Sequence, residues 1–222
     1  MRTFDEIFQI AAKRKGGSDE LNALLEPPVS QSELLQISDD RWLSMMTKCV
    51  FQAGFSWKVI EAKWDGFEKA FEDFDIGRCL FLNDEDIEQL LSNKDIVRNG
   101  MKIKTVQQNA AFISDLAKEH GSAANFFATW PSDNYIGLLE VLKKRGSRLG
   151  GSTSQYFLRF MGVDSFVLSR DVIARLMAEG VVDKNPTSKS AMNAVQAAFN
   201  TWSDQSGRSL KEISRVLAMS VD

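Results

Sequence analysis

The sequence predicts an all-α fold. Apolar residues recur at helical spacing in almost every segment. Helix-start residues stand in front of many of those segments. No convincing run alternates apolar and polar residues as a half-buried strand does. With 222 residues, 44% hydrophobic and 26% charged, the chain has the composition of a globular protein and is long enough to bury a sizeable core.

Taken in order, Phe4, Ile7, Phe8 and Ala11 make the stripe of a first helix that ends near Gly16-Gly17. Ser18 is positioned to cap a short helix carrying Leu21, Leu24 and Leu25, which Pro27-Pro28 ends. Residues 29–38 follow neither period. A strong helix runs from Asp39 or Asp40 through Trp42, Leu43, Met46, Val50 and Phe51 to about Gly54. Ser56 is a candidate cap for a helix with Val59, Ile60 and Lys63, and Phe67, Phe71 and Phe74 continue the core. Asn83 and Asp86 have cap spacing ahead of Ile87, Leu90 and Leu91. A long helix is expected over about Arg98–His120, a short one over Asn125–Thr129 closed by Pro131, and another over Asn134–Lys144. Segments Thr187–Trp202 and Ser209–Ser220 complete the set, the last opened by a Ser209/Glu212 capping box.

Composition excludes several function classes. Two cysteines, Cys49 and Cys79, and one histidine, His120, give neither a disulfide framework nor a zinc site, so no cofactor is expected. His120 sits in a polar stretch and reads as a surface residue. No apolar run approaches the roughly 18 residues of a membrane span, and the acidic, amphipathic N-terminus is unlike a signal peptide. A reducing cytoplasm fits. The net charge of -3 means that any nucleic-acid binding must rest on local patches.

The stretch Val141–Ala174 holds the candidate chemistry. A basic, glycine-rich turn, Lys143 to Gly151, interrupts the helical pattern, and a helix is expected over about Ser152–Met161. Gly146, Gly150 and Gly151 permit positive φ and close backbone approach. Free N–H groups at the next helix start, from Gly150 through Ser152 to Thr153, favour an anion such as a phosphate. Lys143, Lys144, Arg145 and Arg148 add positive charge. A loop then leads to Ser169-Arg170-Asp171, where another helix begins. Read alone, the turn fits a solvated basic face better than a phosphate site, and Asp171 fits a helix cap better than a catalyst.

Two stretches carry a resemblance: Gln52-Ala53-Gly54-Phe55-Ser56-Trp57 with Val59, Ile60 and Lys63, and Ile96-Val97-Arg98-Asn99 with Lys102, Ile103, Asn109 and Ala110. With Leu142–Gly146 and Tyr156 they resemble DNA-3-methyladenine glycosylase I over roughly residues 39–165. Gly150, Thr153, Tyr156 and Phe157 are similar to the hairpin of the wider helix–hairpin–helix DNA glycosylase superfamily. The resemblance implies one two-lobed helical domain over residues 1–222 with a cleft, a hairpin at about 141–161 and a catalytic loop at about 162–171. It implies monofunctional excision of alkylated purines such as 3-methyladenine from double-stranded DNA, by a monomeric, cytoplasmic, nucleoid-associated enzyme. Asp171 falls on the superfamily's catalytic aspartate, and Lys143, Lys144, Arg145, Gly146, Arg148, Gly150, Gly151, Ser152 and Thr153 on its DNA-binding hairpin. Trp57, Phe51, Trp42, Cys49, Gln52 and Phe55 become candidates for the base pocket.

The chain departs from the pattern at several points. The family's cysteine/histidine zinc ligands and tyrosine-rich N-terminal motif are missing. Cys49 stands where the family has a glutamate used in reading the base, which implies a broader or different lesion range. Arg148 stands at the hairpin's first glycine. Glycosylase I itself lacks the superfamily aspartate that Asp171 matches. In lyase-competent relatives a lysine precedes the residue matching Thr153; here it is Ser152, which cannot form a Schiff base. Two other readings stay open: a DNA-binding module without catalysis, and a helical protein-interaction domain with a basic surface turn.

Overall fold

The computed structural model describes residues 1–221. Among them the chain forms helices α1 (Phe4–Lys15), α2 (Ser18–Ala23), α3 (Gln31–Leu34), α4 (Asp39–Gln52), α5 (Trp57–Ala62), α6 (Trp64–Ala70), α7 (Ile76–Leu80) and α8 (Asp84–Ser92). These are followed by α9 (Gly100–His120), α10 (Ala123–Ala128), α11 (Tyr135–Arg145), α12 (Ser152–Met161), α13 (Arg170–Ala178), α14 (Lys189–Ser206) and α15 (Leu210–Met219). There is no strand among the described residues. The all-α expectation holds.

The chain divides into two compact units. One comprises Met1–Val29, Trp130–Leu138 and Gly162–Asp222; the other comprises Ser30–Thr129 and Leu139–Met161. In the first, α1 packs on α2, α14 and α15, and α13 packs on α15. Its core holds Phe166 stacked on Phe199 at 4.3 Å, with Tyr135 against Phe166 at 4.6 Å. A buried polar knot ties its ends. Arg175 Nη1 donates to Glu179 Oε1 (3.1 Å), Arg2 donates to the same carboxylate through its backbone N–H and Nη1 (both 2.8 Å), and Arg175 Nε donates to Ser220 Oγ (2.7 Å).

In the second unit, α4 is the central element, packing on α9 and α12. Trp42 stacks on Phe127 (4.6 Å) and meets Phe157 of α12 edge-on (6.0 Å). Phe51 meets Phe67 edge-on at 4.7 Å.

Several local expectations change. Gly17, not Ser18, is the N-cap of α2, and Ser18 is its first helical residue. Ser56 precedes α5 but makes no capping hydrogen bond. Val59 and Leu91, counted with the apolar stripes, are exposed. The ambiguous stretch before α4 contains α3, opened by a Ser30/Glu33 capping box that the sequence spells out. Unexpected too is a left-handed turn at Glu72, Asp73 and Phe74, with φ of 50°, 54° and 60°. Such a turn costs about 1–2 kcal/mol per residue. Burial of Phe74 against Phe71 (5.3 Å) and Trp64 (5.6 Å) offsets it.

Candidate nucleic-acid interface and base recess

A turn over residues 146–151 joins α11 to α12, and α9 holds it in place. Asn109, fully buried, accepts from Ser147 N (2.7 Å) and donates to Ser147 O (3.2 Å). Arg145 forms a two-pronged ion pair with Glu119 of α9, at 2.7 and 2.8 Å, and lies over the Phe112 ring at 5.4 Å. Arg145, expected to contact DNA, is therefore committed to holding the turn. Lys143 and Arg148 are exposed, and Lys144 is exposed and 3.9 Å from Glu140.

The glycines act differently from the expectation. Gly151 alone of the three has positive φ, 60°. Gly146 is required by space: a Cβ there would lie 2.6 Å from Leu149 and 2.8 Å from the Leu142 carbonyl. Gly150 is constrained by neither. The left-handed position that the hairpin's first glycine would take is filled by Arg148, with φ of 57°. A non-glycine residue there carries strain of about 1 kcal/mol. Arg148→Gly is therefore expected to leave the denaturant midpoint equal or raised while lowering duplex affinity through the lost charge; a clear fall in the midpoint would contradict this.

α12 follows a glycine, as α2 follows Gly17. Thr3, Ser30, Asn83, Asn99, Ser122, Ser169, Ser188 and Ser209 all cap their helices with a side chain. Gly151, before α12, has no side chain to do so. Ser154 Oγ donates back to the Gly151 carbonyl (2.9 Å) and does not serve the N–H groups. The first-turn N–H groups of a helix, here those of Ser152 and Thr153, have no intrahelical acceptor.

Beside this helix start lies a recess of about 190 Å³ lined by Cys49, Gln52, Ala53, Gly54, Trp57, Ser152, Thr153 and Tyr156. Packing of α4 on α12 creates it. Four of the expected pocket residues divide as their helix face dictates. Cys49 and Gln52 line the recess, whereas Trp42 and Phe51, both 0% exposed, are on the buried face of α4 and form core. Trp42 and Phe51 are thus corrected from pocket to core. Trp57 is 45% exposed and stands edge-to-face with Tyr156 (5.2 Å) and Phe160 (5.8 Å). Phe55 faces away into a neighbouring groove. Tyr156 was not among the expected pocket residues, although its spacing of three and four from Thr153 and Ser152 places all of them on one helix face.

The Cys49 thiol is pushed up to about 12 by burial, with Lys48 pulling weakly the other way, so it stays protonated and is no nucleophile. Lys102 is a functional residue whose role was not foreseen. Buried on α9, its Nζ donates to the carbonyls of Phe51 (3.1 Å) and Ala53 (2.6 Å) at the end of α4 and lies over the Phe55 ring at 4.6 Å. A cation on those carbonyls complements the helix C-terminus and fixes the loop that forms the recess wall. Burial, and then the charge of Arg148, lower its pKa.

Asp171 belongs to the other unit. It is exposed, in the first turn of α13, and its side chain makes no hydrogen bond with a described residue. Ser169 supplies the cap, accepting from Val172 N at 3.2 Å. The capping role that competes with catalysis is already filled. The preceding loop is pinned to α15: Val167 N donates to Ser214 Oγ (3.2 Å) and Asp164 Oδ1 accepts from Lys211 N (2.9 Å). Among the described residues no group of His, Cys, Asp and Glu side chains could hold a metal ion, and no helix is long and apolar enough to cross a membrane.

The family model for methyladenine glycosylases matches residues 34–137, which include Cys49, Gln52, Trp57, Lys102 and Asn109 but stop short of the hairpin and Asp171. A 3-methyladenine DNA glycosylase I variant solved with 3-methyladenine is similar in fold, with a TM-score of 0.50 and 22% identity over 56% of this chain and 77% of that one. Another 3-methyladenine DNA glycosylase I is 27% identical over 56% and 79% of the two chains, with a TM-score of 0.49. An 8-oxoguanine glycosylase/lyase from Methanocaldococcus jannaschii, solved with DNA, covers 96% of this chain and 86% of its own at 16% identity and a TM-score of 0.46. Over residues 34–137 the chain is thus similar to the methyladenine glycosylases, and its fold is similar to that of a 3-methyladenine DNA glycosylase I.

Proposed function

We propose that this chain is a DNA N-glycosylase that excises alkylated purines such as 3-methyladenine, without lyase activity. One observation supports this most: the first turn of α12 and an aromatic-walled recess share Ser152 and Thr153. A phosphate held at the helix start thereby brings its own nucleotide to the recess. The base leaves the stack, which costs a few kcal/mol, and recovers it against Trp57 and Tyr156. Family match and fold favour the same chemistry.

In this reading the Asp171 carboxylate stabilises the positive charge that develops on the sugar as the N-glycosidic bond breaks, and orients water. The alkylated base, cationic while attached, leaves with the bonding electrons and becomes neutral. Water adds to the sugar carbon and loses a proton. No amine stands at Ser152 to attack instead, so an intact abasic site remains. Double-stranded DNA is the partner and the protein acts as a monomer in the cytoplasm. Excision needs no cofactor.

Incubation with methylated duplex, read for freed base and for a gel shift, tests the proposal: freed base supports it, a shift without release leaves a binding module, and neither leaves a basic surface turn. Phosphate contacts position DNA without reading sequence. Arg148→Glu and Lys144→Glu are therefore expected to weaken duplex binding several-fold on any sequence and to flatten its salt dependence. Unchanged affinity in both variants would remove the hairpin from the interface.

A further inference from the structure

Gln52, the last residue of α4, lines the recess one helical turn after Cys49. It is 6% exposed, and its side-chain amide makes no hydrogen bond with a described residue. Buried amides elsewhere in the chain are engaged at both ends. Asn109 both accepts from and donates to Ser147. Gln196 accepts from Ile136 N (2.9 Å) and donates to Ser132 O (3.2 Å) and Asn200 Oδ1 (2.8 Å). A buried amide left unpaired costs free energy, and a ligand that pairs both of its ends recovers it.

The surroundings fix the kind of ligand. At about 190 Å³ the recess is smaller than the roughly 300–1,000 Å³ of sites for drug-sized molecules. The Trp57 and Tyr156 rings stand at 90° to each other, 5.2 Å apart, and suit one flat ring system. No carboxylate is among the residues that line it, so hydrogen bonds rather than opposite charge must select the occupant. A glutamine amide meets an adenine-type edge with two bonds. Its carbonyl accepts from the exocyclic amino group while its N–H donates to the adjacent ring nitrogen. We propose that Gln52 is the residue that reads the base, selecting purines that carry an amino group beside an unprotonated ring nitrogen. The inference rests on the glycosylase reading for its DNA context, but its test does not require turnover.

The test titrates nitrogen-15-labelled protein with free 3-methyladenine, whose amino group is its sole donor, and with the counterpart in which that group is dimethylamino. A bidentate amide–base pair is worth roughly 5- to 150-fold, so the parent protein is expected to prefer 3-methyladenine by at least about fivefold. The Gln52 side-chain NH2 signals, identified by their absence from a variant, should move with 3-methyladenine and much less with the dimethylamino base. Gln52→Leu, close in size but without hydrogen-bonding groups, should bring the ratio near one while affinity for the dimethylamino base stays within about twofold. Gln52→Met serves the same purpose should the leucine variant fold poorly. Equal affinities in the parent, binding of neither base, or equal losses on both bases in the variants would overturn the proposal, the last by giving Gln52 a merely structural role. The two readings fail separately. A parent that shows the preference yet frees no methylated base from duplex would sink the glycosylase reading and leave this site standing. A parent that frees methylated base yet binds both free bases alike would do the reverse.

Discussion

Asp171→Asn is expected to fold as the parent does, to bind duplex DNA with parental affinity, and to excise methylated bases about a hundred- to a thousand-fold more slowly. The magnitude is that of removing one well-placed electrostatic group from a transition state. Asparagine keeps the shape but removes the charge. Because Ser169 already caps α13, the substitution should cost little stability, and a slow variant would not be a misfolded one. The deficit should be smaller for cationic lesions, whose bases depart readily, than for neutral ones. Single-turnover rates with parental rates in the variant would remove Asp171 from the mechanism.

Glu179→Gln is expected to produce the largest loss of stability, about 3–5 kcal/mol, because it leaves Arg175 without its buried anionic partner. The Glu179 side chain is 1% exposed and that of Arg175 9%. Burial raises the Glu179 pKa, but hydrogen bonds from Arg2 and Arg175 outweigh it and hold the carboxyl below its usual range. A depressed carboxyl contributes its full stability above the ordinary glutamate pKa and loses it as pH falls through the folded value. The parent should therefore lose stability on acidification below about pH 4.5, and the variant less steeply. Denaturant midpoints across that range would show it; parallel curves would mean that Glu179 is not the group responsible.

Most helices could be read from the sequence because period and cap agree, as at Ser209/Glu212 and Asn83/Asp86. Short elements were harder. Four residues cannot establish a period, so α3 escaped despite its capping box, and the left-handed turn at Glu72–Phe74 exists only because tertiary packing overrides local preference. The hairpin was legible as a motif, yet the division of labour within it was not. Nothing in the sequence distinguishes Arg145, paired with Glu119 across 26 positions, from Arg148, which is not. Trp42, Phe51 and Trp57 are all aromatics near one motif, and only the packing of α4 on α12 decides that the first two are core and the third is exposed. Lys102 could be quoted from the resemblance, but its grip on Phe51 and Ala53 is a long-range contact.

The most direct measurement is a count of free methylated base against abasic sites in duplex treated with the parent protein. One alkali-labile site should form for each base released, with no strand break before alkali or heat and no adduct trapped by borohydride. Tight duplex binding with no base released would contradict the glycosylase assignment, and a trapped adduct would contradict the monofunctional one.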